Sequence, residues 1–381
     1  MNQSKSVNPL QDLLKLSLSE QTQRGLRFTP GEIARQPDTW RKTFQLVAEK
    51  LAAMRNFIDE TAKHKVIFTG AGTSDYIGQC LAPHWRRNGF RHTDAVPSTT
   101  LLTEFADYFG KNELCLLVSL SRSGDSPEGV RLLEILLEQN PLVRHLVITC
   151  NQNGSLAQLA SSAQVYCLVL DEATNDQGLA MTASFSNLLL AGQLIAEQDF
   201  AFIETLCHAG ERMLRQAPRL AKDLAAQDFS RACFLGSGAL YGVAREAALK
   251  TMELTAGRII TMAETPLGLR HGPLSALNAQ TLLVLFLAHE PNRRNYELKL
   301  WEEVKKKKLG CTQVIVCNNA AEQVAADFVL DYSAPGLPDI NRPPVDVIFG
   351  QLYGLFASLR FGLQPDSPSP SGAISRVVAS I

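Results

Sequence analysis

No Cys-x-x-Cys pair occurs in this chain, and its eight cysteines show none of the spacings of a zinc site. That argues against a metal-ribbon or disulfide framework. Cys80, Cys115, Cys150, Cys233 and Cys317 sit in apolar stretches, where a reduced thiol behaves as a small hydrophobe. No apolar run approaches the roughly 20 residues that span a bilayer, and the polar start offers no signal sequence. The expectation is a cytoplasmic protein. A net charge of −1 gives no general attraction to nucleic acid or anionic membrane. There is no Gly-Lys-Ser/Thr, hence no nucleotide P-loop. Six of the histidines (His64, His84, His92, His145, His208, His289) lack metal-ligand spacing, and most are expected at the surface. No metal site is expected.

What the chain does have is an internal repeat. Val66-Ile67-Phe68-Thr69-Gly70-Ala71-Gly72 returns as Ala232-Cys233-Phe234-Leu235-Gly236-Ser237-Gly238, 166 residues later. Thr149-Cys150-Asn151 returns as Val316-Cys317-Asn318 at an offset of 167, and the apolar run 115–120 returns as 283–288 at 168. A near-constant offset over three segments indicates two copies of one α/β unit. A length of 381 residues, with 45% apolar and 20% charged residues, suffices for two ordinary cores. Short apolar strands alternating with helix-length segments fit a parallel sheet covered on both faces. The first copy predicts strands at 65–69, 93–97, 114–120, 145–150 and 165–170. The second predicts 232–235, 258–262, 281–287, 312–317 and 327–331. Helices are expected over much of 1–60, with Thr29 as an N-cap before Pro30, over 185–225 and over 349–361. A turn-rich tail follows from 366. The basic run 305–308 reads as the solvated face of a helix.

The copies differ in one loop. The first carries Ser121-Arg122-Ser123-Gly124-Asp125-Ser126, where the second has Ala288-His289-Glu290-Pro291. Three hydroxyls, a glycine and an arginine between a strand and a helix can surround a phosphate with side-chain and backbone donors. Gly70-Ala71-Gly72-Thr73-Ser74, another strand-to-helix turn, could present free amides to the same kind of anion or serve only tight packing. Gly236-Ser237-Gly238-Ala239-Leu240-Tyr241-Gly242 mimics a dinucleotide fingerprint, so an NAD(P) oxidoreductase stays open. Glu246, Lys250 and Glu253 fall at i, i+4 and i+7, on one helical face, which is also the pattern of an ordinary surface ion pair. His271, held between Arg270 and Gly272-Pro273 in a stretch without period, is poorly placed for a core.

Together, Gly-Thr-Ser at 72–74, Ser-Arg-Ser-Gly-Asp-Ser-Pro-Glu at 121–128, Glu-x-x-x-Lys-x-x-Glu at 246–253 and Glu-Thr-Pro-Leu-Gly-Leu-Arg-His-Gly-Pro at 264–273 resemble the sugar isomerase (SIS) superfamily. Their order is that of the isomerase half of glucosamine-6-phosphate synthase, and the likeness covers about 50–381. The synthase's glutaminase half has no counterpart. Within the superfamily the chain looks most like the AgaS group of galactosamine catabolism, often labelled tagatose-6-phosphate ketose/aldose isomerase; Arg-Val-Val at 376–378 is a further cue.

The resemblance implies an α/β fold of two tandem SIS domains, each a parallel five-stranded sheet flanked by helices in a flavodoxin-like three-layer sandwich. It divides the chain into a helical extension (1–50), a phosphate-binding domain (51–205), a domain with the catalytic helix and His loop (206–365), and a tail over the active site (366–381). It assigns Gly72, Thr73, Ser74, Ser121, Arg122, Ser123 and Ser126 to the sugar phosphate, and Glu253 to proton transfer between C1 and C2. His271 would open the pyranose ring, reaching in from the neighbouring subunit of a homo-oligomer, while Lys250 and Glu246 orient the open chain and hold Glu253. Two departures stand out. Arg376 takes the place of a tail lysine, and an arginine cannot form a Schiff base, so it is read as an electrostatic anchor. The span from Glu253 to His271 is also longer than in the synthase. No cofactor is implied. The expected reaction is conversion of D-galactosamine 6-phosphate to D-tagatose 6-phosphate and ammonia through an enediol or enolamine. The alternatives are a simple tagatose-6-phosphate isomerase, a deglycase or deaminase of another phosphorylated amino sugar, and a sugar-phosphate sensor without turnover.

Overall fold

The computed structural model describes residues 8–319 and 325–378. The expected extension and tail therefore run, at 1–7 and 379–381, outside the described residues. The chain folds as two compact units. One comprises 38–176, 183–204 and the chain from Ile374 on; the other comprises the chain up to Pro37, 177–182 and 205–373. The fold is α/β, and each unit holds one parallel sheet of five strands flanked by helices.

The first sheet is built from β1 (Val66–Thr69), β2 (Thr93–Ala95), β3 (Cys115–Ser121), β4 (Val143–Thr149) and β5 (Val165–Val169), in the order β2-β1-β3-β4-β5. β1 and β3 are buried along their whole length, which is why their sequences are apolar at both parities. On one face Ile67, Leu117 and Val143 meet Leu132 and Leu136 of the helix Pro127–Gln139. On the other, Phe68 meets Trp85 of the helix Thr73–Arg87 edge to face, with ring centroids 5.1 Å apart. The helix Ala183–Ala196 is buried at every residue. Gly192 in it lets Leu81 approach and gives its carbonyl to the Trp85 indole N–H at 2.8 Å. Two of its polar side chains are met from the long helix Gln36–Ala62: the Trp40 indole donates to Ser186 at 2.9 Å and Thr43 to Asn187 at 2.7 Å.

β6 (Arg231–Leu235), β7 (Ile260–Glu264), β8 (Thr281–Leu287), β9 (Thr312–Cys317) and β10 (Phe328–Asp331) form the second sheet in the order β7-β6-β8-β9-β10. This is strand for strand the order of the first, so the sequence repeat is a structural repeat. Cys233, Leu235, Leu283, Leu285 and Ile315 pack against Leu300, Trp301 and Val304 of the helix Pro291–Lys307, whose residues 305–308 are exposed as expected. On this unit's helix Ala239–Leu254 rests the helix Pro343–Arg360. Gly350 and Gly354 make that contact close: a Cβ on Gly350 would lie 2.5 Å from Ala247 Cβ, and one on Gly354 would lie 3.0 Å from the Lys250 carbonyl oxygen.

Three expectations shift. β7 begins two residues late, because the preceding helix stops through left-handed Ala256 and Gly257, with the Gly257 N–H returning to the Met252 carbonyl. The last long helix starts at Pro343 rather than 349, with the Pro343-Pro344 pair in its first turn. Thr29 is not an N-cap. Phe28 holds that position, and the Asp366 carboxylate accepts the Phe28 and Thr29 N–H groups and the Thr29 hydroxyl. A cap supplied from 337 residues away leaves no local sequence signal.

Of the six histidines expected mostly at the surface, His84 and His145 are fully buried. His145 sits on β4 with neither ring nitrogen bonded, and burial pushes its pKa down to about 3. The unfolded imidazole titrates near 6.5, so between these values the unfolded chain binds the extra proton and acid weakens the fold. Stability contributed by the neutral ring is intact above pH 6.5 and is lost as pH falls towards 3. Between pH 6.5 and 4.5 this amounts to about 2–3 kcal/mol. Urea titrations of wild type and His145→Leu should differ in acid slope by that amount; parallel slopes would refute it.

Candidate active site

In the unit that carries β1–β5, two strand-to-helix turns lie at the carboxyl edge of the sheet, where ligands of doubly wound sheets bind. After β1, Gly70 and Gly72 serve different needs. A Cβ on Gly70 would fall 2.4 Å from Ser74 Cβ and 3.0 Å from the Leu120 carbonyl oxygen, so this glycine closes the turn onto the neighbouring strand. Gly72 has open space beside it but φ +56°, a left-handed conformation that glycine adopts without strain. Thr73 and Ser74 then open the helix Thr73–Arg87, both nearly buried, without a side-chain cap on its first turn.

After β3, the loop 121–126 folds on itself. Ser121 Oγ accepts the Gly124 N–H at 2.9 Å, and Ser123 Oγ accepts the Asp125 N–H at 3.2 Å. Each hydroxyl thereby keeps its proton to donate to a ligand. Gly124 takes φ +73°. Ser126 stands at the N-cap of the helix Pro127–Gln139, but its side chain caps nothing, and Pro127 contributes no N–H. The first turn thus presents amides with no side-chain acceptor, beside Arg122. The guanidinium of Arg122 donates to the Arg376 carbonyl at 2.5 Å. The Arg376 side chain is itself engaged, donating to the Asp176 carbonyl (Nε, 2.9 Å) and to Asn175 Oδ1 (2.8 Å). Arg376 thus reaches the loop through its backbone, while its charge is spent on 175–176.

The corresponding loop in the other unit is shorter, 288–290 against 122–126, and it is filled. Glu290 takes the Ser126 position, with φ −60° at each, and its carboxylate accepts the Asn292 and Arg293 N–H groups at 3.0 Å. Asp339 accepts the His289 and Glu290 N–H groups at 2.8 and 2.9 Å, held in turn by Arg342 at 3.0 Å. Glu297 accepts the Ala288 N–H at 2.8 Å, and burial raises its pKa above the usual carboxylate range. Gly238 repeats Gly72 at φ +60°, yet Arg293 stands 3.1 Å from where its Cβ would be. The chain's own carboxylates occupy the amides of this loop that an anion would need.

The same unit carries the Glu-x-x-x-Lys-x-x-Glu helix. Glu246, Lys250 and Glu253 share one face of the helix Ala239–Leu254, as their spacing requires. The Lys250 ammonium, 1% exposed, lies 3.4 Å from Glu246 Oε1 and 2.5 Å from Glu253 Oε2. Glu246 is fully buried, whereas the Glu253 side chain is 22% exposed. An ion pair with one sealed end and one open end leaves a single carboxylate able to meet a substrate. His271 lies on an exposed turn, its N–H bonded to the Gly268 carbonyl, and its imidazole makes no hydrogen bond among the described residues. Neighbouring Arg270 pairs with Glu303 at 2.9 Å. Among the described residues no group of three His, Cys, Asp or Glu could hold a metal ion, and no helix is long and apolar enough to cross a membrane.

Two repeated doubly wound sheets, one with an open anion loop and the other with a carboxylate–lysine face, define the class of SIS-domain proteins. The SIS domain family matches residues 61–198. A Streptomyces coelicolor AgaS protein is 36% identical over 365 residues, covering 93% of this chain and 94% of its own. The D-galactosamine-6-phosphate deaminase AgaS of Escherichia coli is 33% identical over 374 residues, with coverage of 93% and 94%. The crystal structure of tagatose-6-phosphate ketose/aldose isomerase from Escherichia coli superposes with a TM-score of 0.84 at 31% identity, covering 89% of this chain and 94% of that one. The chain belongs to the AgaS family of SIS proteins.

Proposed function

We propose that this chain is a hexosamine-phosphate deaminase/isomerase that converts D-galactosamine 6-phosphate and water to D-tagatose 6-phosphate and ammonia. The observation that carries it is the Glu246–Lys250–Glu253 ion pair, with Glu253 alone partly open. A sensor needs an anion loop but no such face. The 121–126 loop, with Ser74, would hold the 6-phosphate, a handle whose binding energy positions the distant reacting carbons. Glu253 would take the proton from C2 of the open-chain aldose and return it to C1, within hydrogen-bond reach of both. The intermediate is an enolamine, and the buried Lys250 ammonium, behind Glu253, would favour its developing negative charge through its field rather than by contact. Reprotonation at C1, with one amine proton passing to O1, gives a 2-ketimine with a hydroxyl on C1. Water adds to its C2, and the C–N bond breaks to leave the ketose phosphate and ammonia. His271 of a neighbouring copy would exchange protons with the ring oxygen and the anomeric hydroxyl, as imidazole can near neutral pH; its exposed turn suits that role. The free cysteines, all but Cys167 buried, suit a reducing cytoplasm.

Incubating the purified protein with galactosamine 6-phosphate, glucosamine 6-phosphate and tagatose 6-phosphate, while measuring ammonia and ketose, tests this. Stoichiometric ammonia and ketose from the galacto substrate are expected. Interconversion of tagatose 6-phosphate with its aldose without ammonia from either amine would establish the simple isomerase instead.

A further inference from the structure

The repeated Thr-Cys-Asn and Val-Cys-Asn at the ends of β4 and β9 have no part in the chemistry above, yet their asparagines do different things. In the second copy Asn318 turns along its own loop, donating to the Leu337 carbonyl at 3.0 Å and accepting the Ala334 N–H at 2.6 Å. In the first copy Asn151 turns onto the anion loop. Its Nδ2 donates to the Ser123 carbonyl at 2.8 Å, while its Oδ1 accepts the Asn153 N–H at 3.0 Å. The whole turn 151–156 follows. The Leu156 N–H donates to the Gly124 carbonyl at 2.9 Å, and Asp125 Oδ1 accepts the Ser155 N–H at 2.8 Å and its hydroxyl at 3.0 Å. Gly154 comes so near that a Cβ on it would stand 2.3 Å from the Ser123 carbonyl oxygen and 2.9 Å from Gly124 Cα. Three consecutive loop residues, Ser123, Gly124 and Asp125, are held by hydrogen bonds in this contact.

We propose that the turn 151–156 is the positioning element of the phosphate site, with Asn151 its positioning residue, setting the shape of 121–126 so that its amides and hydroxyls converge on one anion. This rests on the reading of that loop as the phosphate site. The mechanism is local. By tying down the Ser123 and Gly124 carbonyls, the turn points them away from the ligand and holds left-handed Gly124, so the Ser121 and Ser123 hydroxyls and the loop amides they do not accept face the anion. A loop pre-organised in this way binds without an ordering cost, and loosening it weakens phosphate without touching the proton-transfer face. The neighbouring Cys150 thiol, pushed up to about 12 by burial, stays neutral and takes no part.

The test compares Asn151→Ala, Asn151→Asp and Gly154→Ala with wild type, by titration of inorganic phosphate and by steady-state kinetics on galactosamine 6-phosphate. Loss of one such hydrogen bond corresponds to roughly a 5- to 20-fold weakening. Both Asn151 variants are expected to raise the phosphate Kd and the KM by that factor, with kcat within about threefold. Asn151→Asp is nearly isosteric, but its carboxylate opposes a carbonyl, so it should be no better than alanine. If it behaves as wild type, the residue only fills space and the proposal falls. Gly154→Ala, whose methyl overlaps the Ser123 carbonyl, should be the most affected. Ser121→Ala/Ser123→Ala is the control for the underlying reading: phosphate binding intact in that variant overturns the loop assignment, whereas its loss with unchanged Asn151 variants overturns only the brace. Should the variants fail to fold, hydrogen exchange on the wild type decides. Phosphate must slow the Leu156 amide together with 122–126, and an unresponsive Leu156 refutes the coupling.

Discussion

Replacing Glu253 with glutamine should lower kcat on the sugar phosphate by about 10² to 10⁴, the usual loss when a general base is removed, while inorganic phosphate binds as in wild type. The change keeps the side chain's size and its place beside the Lys250 ammonium, now 2.5 Å from Oε2, but an amide cannot accept the substrate proton. Glu246 is the internal control. It shares the lysine, yet it is fully buried and has no route to a substrate, so Glu246→Gln should cost far less in kcat. Equal losses at both positions would mean that the face acts through its charge alone. The assignment of His271 has a linked outcome. Mixing Glu253→Gln and His271→Ala subunits should restore part of the activity, because some hybrids then hold one composite site with both residues intact. If exchange is demonstrated and no activity returns, His271 acts within its own chain or not at all.

How much of this was written in the sequence depends on the range of the interaction that decides each feature. The strands of both sheets were legible because a strand buried on two faces must be apolar throughout, and β1, β3 and β8 are. The Glu246/Lys250/Glu253 face was legible because helical spacing alone brings the three together. The ends set by long-range partners were not: Asp366 caps a helix that starts at Thr29, and Glu32 accepts the Gln177 and Gly178 N–H groups from 145 and 146 residues away. The role of Arg376 was legible only in part. Its arrival near Arg122 followed from the family likeness, but its hold on the 175–176 backbone depends on a loop with no motif. Asn151 was visible as a repeated letter and invisible as a function, since the same letter at 318 faces elsewhere.

The repeat also explains why a chain with two anion-loop scaffolds keeps one open. In the copy that lost its hydroxyls, Glu290, Asp339 and Glu297 answer the amides that Ser126 and its neighbours leave for a ligand. Internal carboxylates fix that loop, in the unit whose helix Ala239–Leu254 carries Glu253 and Lys250. Duplicated scaffold and divided labour are thus two sides of the same substitutions.

Lys250→Met should be the most destabilising single change in the catalytic helix, lowering unfolding free energy by about 3–5 kcal/mol. The lysine is 1% exposed and its ammonium lies within 3.4 Å of Glu246, which is fully buried. Taking the ammonium away leaves the Glu246 carboxylate in a low-dielectric setting without that countercharge, and the cost is the desolvation of a charge rather than the loss of one contact. Methionine matches the lysine stem in length, and the part of Lys250 that faces Gly354 is its backbone carbonyl, which the substitution leaves in place. Denaturant titration should therefore show a lower midpoint at unchanged slope. The second arm is Glu246→Gln/Lys250→Met, in which no charge is stranded at 246. It should recover more than half of the lost stability while remaining inactive, because the lysine that holds Glu253 is still absent. A double variant no more stable than Lys250→Met would show that the lysine stabilises the helix by packing, and that the buried Glu246–Lys250 pair contributes nothing as a pair of charges.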